Sequence, residues 1–228
     1  MSIAFPPLLT GVAVPGNPKE TAVRAAPEAD PGTVFYGLDP NVMEVAILLA
    51  PEEPLERAVR VSLAASLGLN DAIGALAPPE VAVHLAWPDR ILINGAAAGT
   101  LSVVASTKDP GTEPDWLVLA LSLDVAPTEA PGDTPELSTL HDEGCAEVTT
   151  PDLIEAWGRH MMNWLHIYMT DGFEPLHREW AGKAHAMGET TTYPEAGQIV
   201  GMDENGGLIL KTEAQTKILP LTQLVDMP

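Results

Sequence analysis

The stretch AWPDRILINGAAAGTL, residues 86–101, decides how the chain is to be read. Asn94-Gly95 is the strongest turn signal in the sequence, because both residues accept the positive φ that a two-residue hairpin turn requires. Apolar Ile91, Leu92 and Ile93 lead into that turn, and small and β-forming residues leave it, which predicts strands over 90–94 and 99–106. Trp87, Pro88, Asp89 and Arg90 place an indole, a ring-locked backbone, a carboxylate and a guanidinium at the hairpin's entrance. Asp89 and Arg90 are neighbours, so a regular strand sends their side chains to opposite faces, and only a bulge brings both to one pocket.

Working outward, GTVFYG (32–37) and VMEVAILLA (42–50) read as strands joined by the turn LDPN, and the nearly unbroken apolar run of the second predicts a central position. Pro18 to Ala29 predicts a short helix capped by Asn17, with Pro27 marking its end. Pro54 to Ala77 predicts one helix whose Leu55, Ala58, Val61, Leu63, Ala65, Leu69, Ile73 and Leu76 cover a single broad face. Further strands over 81–86 and 116–124 complete a meander after a long helix. That is an α+β pattern built on a mixed or antiparallel sheet.

Residues 126–135 (APTEAPGDTP) read as an acidic surface loop. Thr150 as cap and Pro151 in the first position predict a helix running to Gly172, followed by another over 173–186. From Tyr193 the texture changes to GQIVGMDENGGLILKTEAQTKILPLTQLV, three or four short strands that predict a small β-barrel. A unit of about 35 residues is too small to stand alone and must pack on the main body. The expected organisation is therefore a main domain over 1–190 and a C-terminal barrel over 191–228.

Composition narrows the function. Among 228 residues, 32 acidic against 11 basic side chains leave a net charge of −21, which argues against nucleic-acid partners and anionic lipid. No uninterrupted apolar run approaches the length of a membrane span. The N-terminal MSIAFPPLLTG lacks a signal peptide's basic and apolar regions, and the single cysteine forms no internal disulfide, so a cytoplasmic protein is expected. His160, His166, His177 and His185 show no metal-ligand spacing, so no intrinsic metal site is expected. Cys145 invites thiol-acyl chemistry with His141 four residues upstream, yet Asp142, Glu143 and Glu147 raise rather than lower a thiol pKa.

The hairpin, the following WLVLALSLDV, the segment DLIEAWGRHMMNWLHIYMTDGFEPLHREWAGKAHAMGE and the closing GMDENGGLIL stand in an order that resembles the biotin/lipoate protein ligase superfamily. The closest likeness is to a biotin protein ligase catalytic domain with its small SH3-like C-terminal barrel and no DNA-binding domain, and it spans nearly the whole chain. The resemblance implies a ligase that joins biotin, lipoate or a related carboxylate to ATP as an acyl-adenylate, then passes the acyl group to a lysine of a biotinyl or lipoyl carrier domain. ATP and biotin or lipoate are thus the implied cofactors, and pairing of two chains through the sheet is a further expectation.

Residue by residue, Trp87 and Pro88 match the family's Lys-Trp-Pro-Asn-Asp motif, Asn94 and Gly95 its turn, and Gly99 and Leu101 its Ala-Gly-Ile-Leu. The charges do not match: Ala86 stands for the first lysine, Asp89 for the asparagine and Arg90 for the aspartate. Ala96, Ala97 and Ala98 fill the segment that carries the catalytic lysine, and GTVFYGLDPNVMEVAI has none of the arginines of the family's early Gly- and Arg-rich loop. The expected ligand-binding residues are Trp87, Pro88, Asp89, Arg90, Asn94, Gly95, Gly99 and Thr100, the last two offering backbone amides, whereas turn chemistry alone explains Asn94-Gly95. Two functions follow: a ligase with unusual catalytic groups, or a non-catalytic homologue that binds a small carboxylate, an acyl-adenylate or a carrier domain. Convergence of Arg24, Arg90 or Lys108 on the hairpin favours the first, and an acidic site counts against ATP.

Overall fold

The computed structural model describes residues 3–127 and 137–228. In chain order, β1 (Thr10–Ala13), α1 (Pro18–Ala25), β2 (Thr33–Tyr36) and β3 (Val42–Leu49) lead to α2 (Leu55–Ala58) and α3 (Val61–Leu76). The meander β4 (Val83–Ala86), β5 (Arg90–Ile93), β6 (Ala96–Ala105) and β7 (Leu117–Asp124) follows. Helices α4 (Thr150–Asp171) and α5 (Phe173–Lys183) precede β8 (Thr190–Thr191), β9 (Gly197–Met202), β10 (Leu208–Lys211) and β11 (Thr216–Leu219). A 3₁₀ turn, Leu221–Leu224, leads into β12 (Val225–Asp226).

The main sheet runs β1-β2-β3-β7-β6-β5-β4, with β12 beside β6. The β1–β2 and β12–β6 pairs are parallel and the others antiparallel, so the sheet is mixed and the fold is α+β. Strand β3 is central, as its apolar run predicts, because both of its faces are covered. Met43, Val45 and Ile47 pack in the core with α3 and α4. Ala46 and Leu48 face the other way, where Val14, Ala22 and Ala26, from α1 and the chain on either side of it, join Phe35, Val104, Val118 and Ala120 in a second cluster.

The helix predicted over 54–77 is two helices. Around Arg60 the backbone tightens to i→i+3 bonds, Arg60 N to Arg57 O at 2.9 Å and Leu63 N to Arg60 O at 3.0 Å, which separates α2 from α3. Nor does α3 bury one face: Val61 to Leu69 are buried all round, and the Ser62 and Ser66 hydroxyls satisfy themselves on Val59 O and Leu63 O. A Cβ on Gly68 would lie 2.8 Å from the Met161 backbone, so glycine permits the close α3–α4 crossing.

The cap of α4 is Thr149 rather than Thr150, because only from Thr149 does the hydroxyl reach the amide of Asp152 three residues on. Helix α5 ends at Lys183, short of the predicted Ala186: Ala184 turns extended, bridges Leu85, and sends the chain along β4 with His185 N donating to Leu85 O at 2.8 Å. The expected barrel is, in its pairing, a four-stranded antiparallel sheet in the order β11-β10-β9-β8. Its Ile199, Leu208, Leu210 and Leu219, with Leu221, Leu224 and Val225, belong to the main core, and β12 joins the main sheet itself. The loop predicted over 126–135 lies outside the described residues from position 128 onward.

Candidate functional site

Trp87, Pro88 and Asp89 form the turn between β4 and β5, and Asn94-Gly95 the turn between β5 and β6, so the opening stretch is two successive hairpins. The Trp87–Pro88 peptide bond is cis. Trp87 is only 4% exposed and its indole N–H donates to Gly206 O at 3.0 Å, tying the turn to the β9–β10 connection. The bond joins the first hairpin to the second sheet.

Asp89 and Arg90 meet one partner, Tyr193. The Tyr193 hydroxyl donates to Asp89 Oδ1, and the Arg90 guanidinium lies over the Tyr193 ring, 3.5 Å from its centroid. The expected separation onto opposite faces fails because Asp89 belongs to the turn, where strand alternation does not apply. Burial first, then the hydrogen bond to Asp89 and its charge, push the Tyr193 phenol up to about 12, with Arg90 opposing. The phenol therefore stays protonated near neutral pH and keeps donating.

Asn94 does more than turn the chain: its Oδ1 accepts from Ala82 N at 2.9 Å and its Nδ2 donates to Glu143 Oε2 at 2.7 Å. Gly99 sits where β6 approaches β7 closely: a Cβ there would fall 2.6 Å from Ser122 O.

Register assembles the site that remains. Arg90 pairs with Thr100, Thr100 with Ser122, and Ser122 with Glu44, and directly paired residues point to the same face. Four strands thus set a row of guanidinium, two hydroxyls and a carboxylate across the face that α1 leaves open. Arg90 and Thr100 are exposed, Ser122 and Glu44 half-buried. Among the described residues, the Thr100 and Ser122 hydroxyls and the Glu44 carboxylate have no hydrogen-bond partner, unlike Ser62, Ser66 and Thr33 elsewhere. Burial, then the charge of Asp39, push the Glu44 carboxyl above the ordinary range, and burial does the same to Asp124 on the same face.

The sequence singled out Arg90 and Thr100 but missed Ser122, Glu44 and Tyr193. Glu44 had a visible signal, being the one charge inside VMEVAILL. Tyr193 had none, since it meets the hairpin from 103 residues along the chain. Arg24 ends α1 and Lys108 follows β6; among the described residues neither hydrogen-bonds nor ion-pairs with the hairpin.

Other candidates do not converge on this row. Cys145 is 1% exposed and burial, then Glu143 and Glu80, push its thiol up, while His141 Nε2 bonds Val148 O at 3.0 Å instead. Among the described residues no three His, Cys, Asp or Glu side chains are grouped to hold a metal ion. A groove of about 1410 Å³ lies elsewhere, between α2, α4, α5 and the β9–β10 connection, and none of the eight sequence candidates lines it. There Arg60 stacks on Phe173 at 4.4 Å and Tyr168 donates to Glu53 at 3.0 Å. Asn94 and Gly95 line a smaller cleft of about 640 Å³ at the hairpin's far end, beside His84 and His185.

A mixed sheet with α3 and α4 on one face, a double hairpin at its edge and a small antiparallel sheet beside it define a biotin protein ligase-like architecture. Residues 5–182 match the model of the biotin/lipoate A/B protein ligase family, and the chain belongs to that family. It is 27% identical over 186 residues to the biotin–[acetyl-CoA-carboxylase] ligase of Paracoccus denitrificans, a match covering 78% of this chain and 77% of that one. The crystal structure of a biotin protein ligase-like protein of unknown function from Silicibacter sp. TM1040 superposes with a TM-score of 0.92 at 43% identity, covering 99% of this chain and 100% of the other. Biotin protein ligase from Aquifex aeolicus in complex with biotin and ATP shares the fold, with a TM-score of 0.73 at 16% identity over 92% and 95% of the two chains. No helix is long and apolar enough to cross a membrane among the described residues.

Proposed function

We propose that the chain binds a small carboxylic acid of the biotin or lipoate type on the open face of the sheet, its carboxylate at Arg90, and does not activate it as an acyl-adenylate. One observation carries this reading: Arg90 is the only cation on a row completed by Thr100, Ser122 and Glu44. Joining a carboxylate to ATP brings two anions together and needs several preorganised positive groups, each worth about 10²- to 10³-fold in rate. Here Glu44 and Asp124 share the face instead, and alanines stand at 96–98. A single carboxylate asks for one guanidinium, which Tyr193 already orients.

Calorimetric titration with biotin and with lipoate, beside a pyrophosphate assay in the presence of ATP, tests the proposal. The expected result is carboxylate binding that weakens at least about tenfold in Arg90→Ala, a change of roughly 1.4 kcal/mol, with no pyrophosphate formed. ATP-dependent pyrophosphate release overturns it in favour of a ligase, whose next assay is transfer to a carrier-domain lysine. In this reading residues 1–190 carry the ligand face and 191–228 brace it through Trp87 and Tyr193.

A further inference from the structure

We infer that the ligand of the open face carries a positively charged nitrogen at the end opposite its carboxylate, held by Glu44. The inference rests on the reading above that this face holds a carboxylate, and it departs from biotin and lipoate themselves, whose far ends are neutral, to an acid whose far end is cationic. Arg90 on β5 and Glu44 on β3 are three strand spacings apart, about 14 Å between backbones. That is beyond the roughly 8–10 Å over which salt leaves exposed charges coupled, so the two do not neutralise each other. Among the described residues no carboxylate lies within 4 Å of the Arg90 nitrogens, and no cationic nitrogen within 4 Å of Glu44.

Between them, Thr100 and Ser122 present hydroxyls that both donate and accept, suited to a neutral linker. Gly37 lies alongside Glu44, where a Cβ would meet Glu44 Cβ at 3.4 Å and Oε2 at 3.5 Å, so the missing side chain leaves the carboxylate uncovered by its neighbour on β2's end. Gly37 N donates to Glu44 O at 2.9 Å and fixes this strand end. With Asp39 as its charged neighbour, the Glu44 carboxylate is better relieved by a cation than by any neutral group. A fatty acid satisfies Arg90 alone and an alkylamine Glu44 alone, whereas an ω-amino acid satisfies both.

The test titrates the whole protein with 8-aminooctanoate, octanoate and octylamine. The expected result is that 8-aminooctanoate binds at least about tenfold tighter than either relative. Glu44→Gln should abolish the preference for 8-aminooctanoate over octanoate, and Arg90→Ala should abolish its preference over octylamine. Equal binding of 8-aminooctanoate and octanoate by the unmodified protein overturns the inference and leaves the carboxylate reading standing, with no variant needed. Failure of every probe to bind overturns both.

Discussion

On the helix-covered face of the sheet the buried tryptophans and serines have found partners inside the molecule. Trp157 donates to Ala65 O at 3.1 Å, Trp180 to the Ser66 hydroxyl at 3.0 Å, and the Ser66 hydroxyl donates in turn to Leu63 O. Across the open face, the Thr100 and Ser122 hydroxyls and the Glu44 carboxylate stand in register with no such partner among the described residues. Both faces belong to the same strands, so alternation alone separates them: odd positions of β3 enter the core and Glu44 does not. Among the described residues, packing has consumed the bonding capacity of one face and left these groups of the other unused.

The largest expected effect comes from removing what braces the covered face. Deleting residues 191–228 takes away Ile199, Leu208, Leu210, Leu219, Leu221, Leu224 and Val225, each buried. At about 1.5–3 kcal/mol per side chain the loss matches the whole stability of a typical domain, so the truncated chain should give no cooperative melting transition. A sharp transition near that of the full chain would show that the covered face is complete without it. Trp157→Ala, within the covered layer, should cost about 3–5 kcal/mol and lower Tm by roughly 10 °C.

Smaller changes probe the boundary between the two faces. Tyr193→Ala removes both the hydrogen bond to Asp89 and the ring under Arg90, and should destabilise by about 1–2 kcal/mol while weakening carboxylate binding. Tyr193→Phe keeps the ring, so binding should recover while the hydrogen-bond share of stability stays lost. Equal binding in Ala and Phe variants would mean that Tyr193 does not orient Arg90.

Alkaline pH gives the same boundary a second reading. Tyr168 and Tyr193 are raised from 10 to about 12 in the folded state, so the stability they supply is present below pH 10 and is lost as pH rises through about 12. Urea unfolding from pH 9 to 12 should show that decline, less of it in Tyr193→Phe. Smallest of all, Ser122→Ala and Thr100→Ala should change stability by no more than about 0.5 kcal/mol, because neither hydroxyl has an internal partner to lose. A loss of 2 kcal/mol in either would remove the contrast between the faces.

Local signals made most of the fold legible. Asn94-Gly95 fixed the second hairpin, the β3 run its central place, and Asn17 and Gly172 their helix ends. What escaped were features that depend on distant segments. The break at Arg60 is a change from α to 3₁₀ bonding inside a strongly helical composition, which no residue there announces. The polar row needs the register of four strands drawn from positions 44, 90, 100 and 122, and register is a property of the assembled sheet. Trp87 matched a motif, yet its burial and its bond to Gly206 come from the chain's far end.

That far end also sets the order of events when the protein is made. Strand β12 lies parallel to β6, Val225 beside Val103 and Asp226 beside Val104. During synthesis β6 must wait for more than a hundred further residues before this neighbour exists, and Trp87 and Arg90 wait nearly as long for Gly206 and Tyr193. The nascent chain therefore emerges from the ribosome with its hairpin unbraced, and Arg90 meets Tyr193 only later.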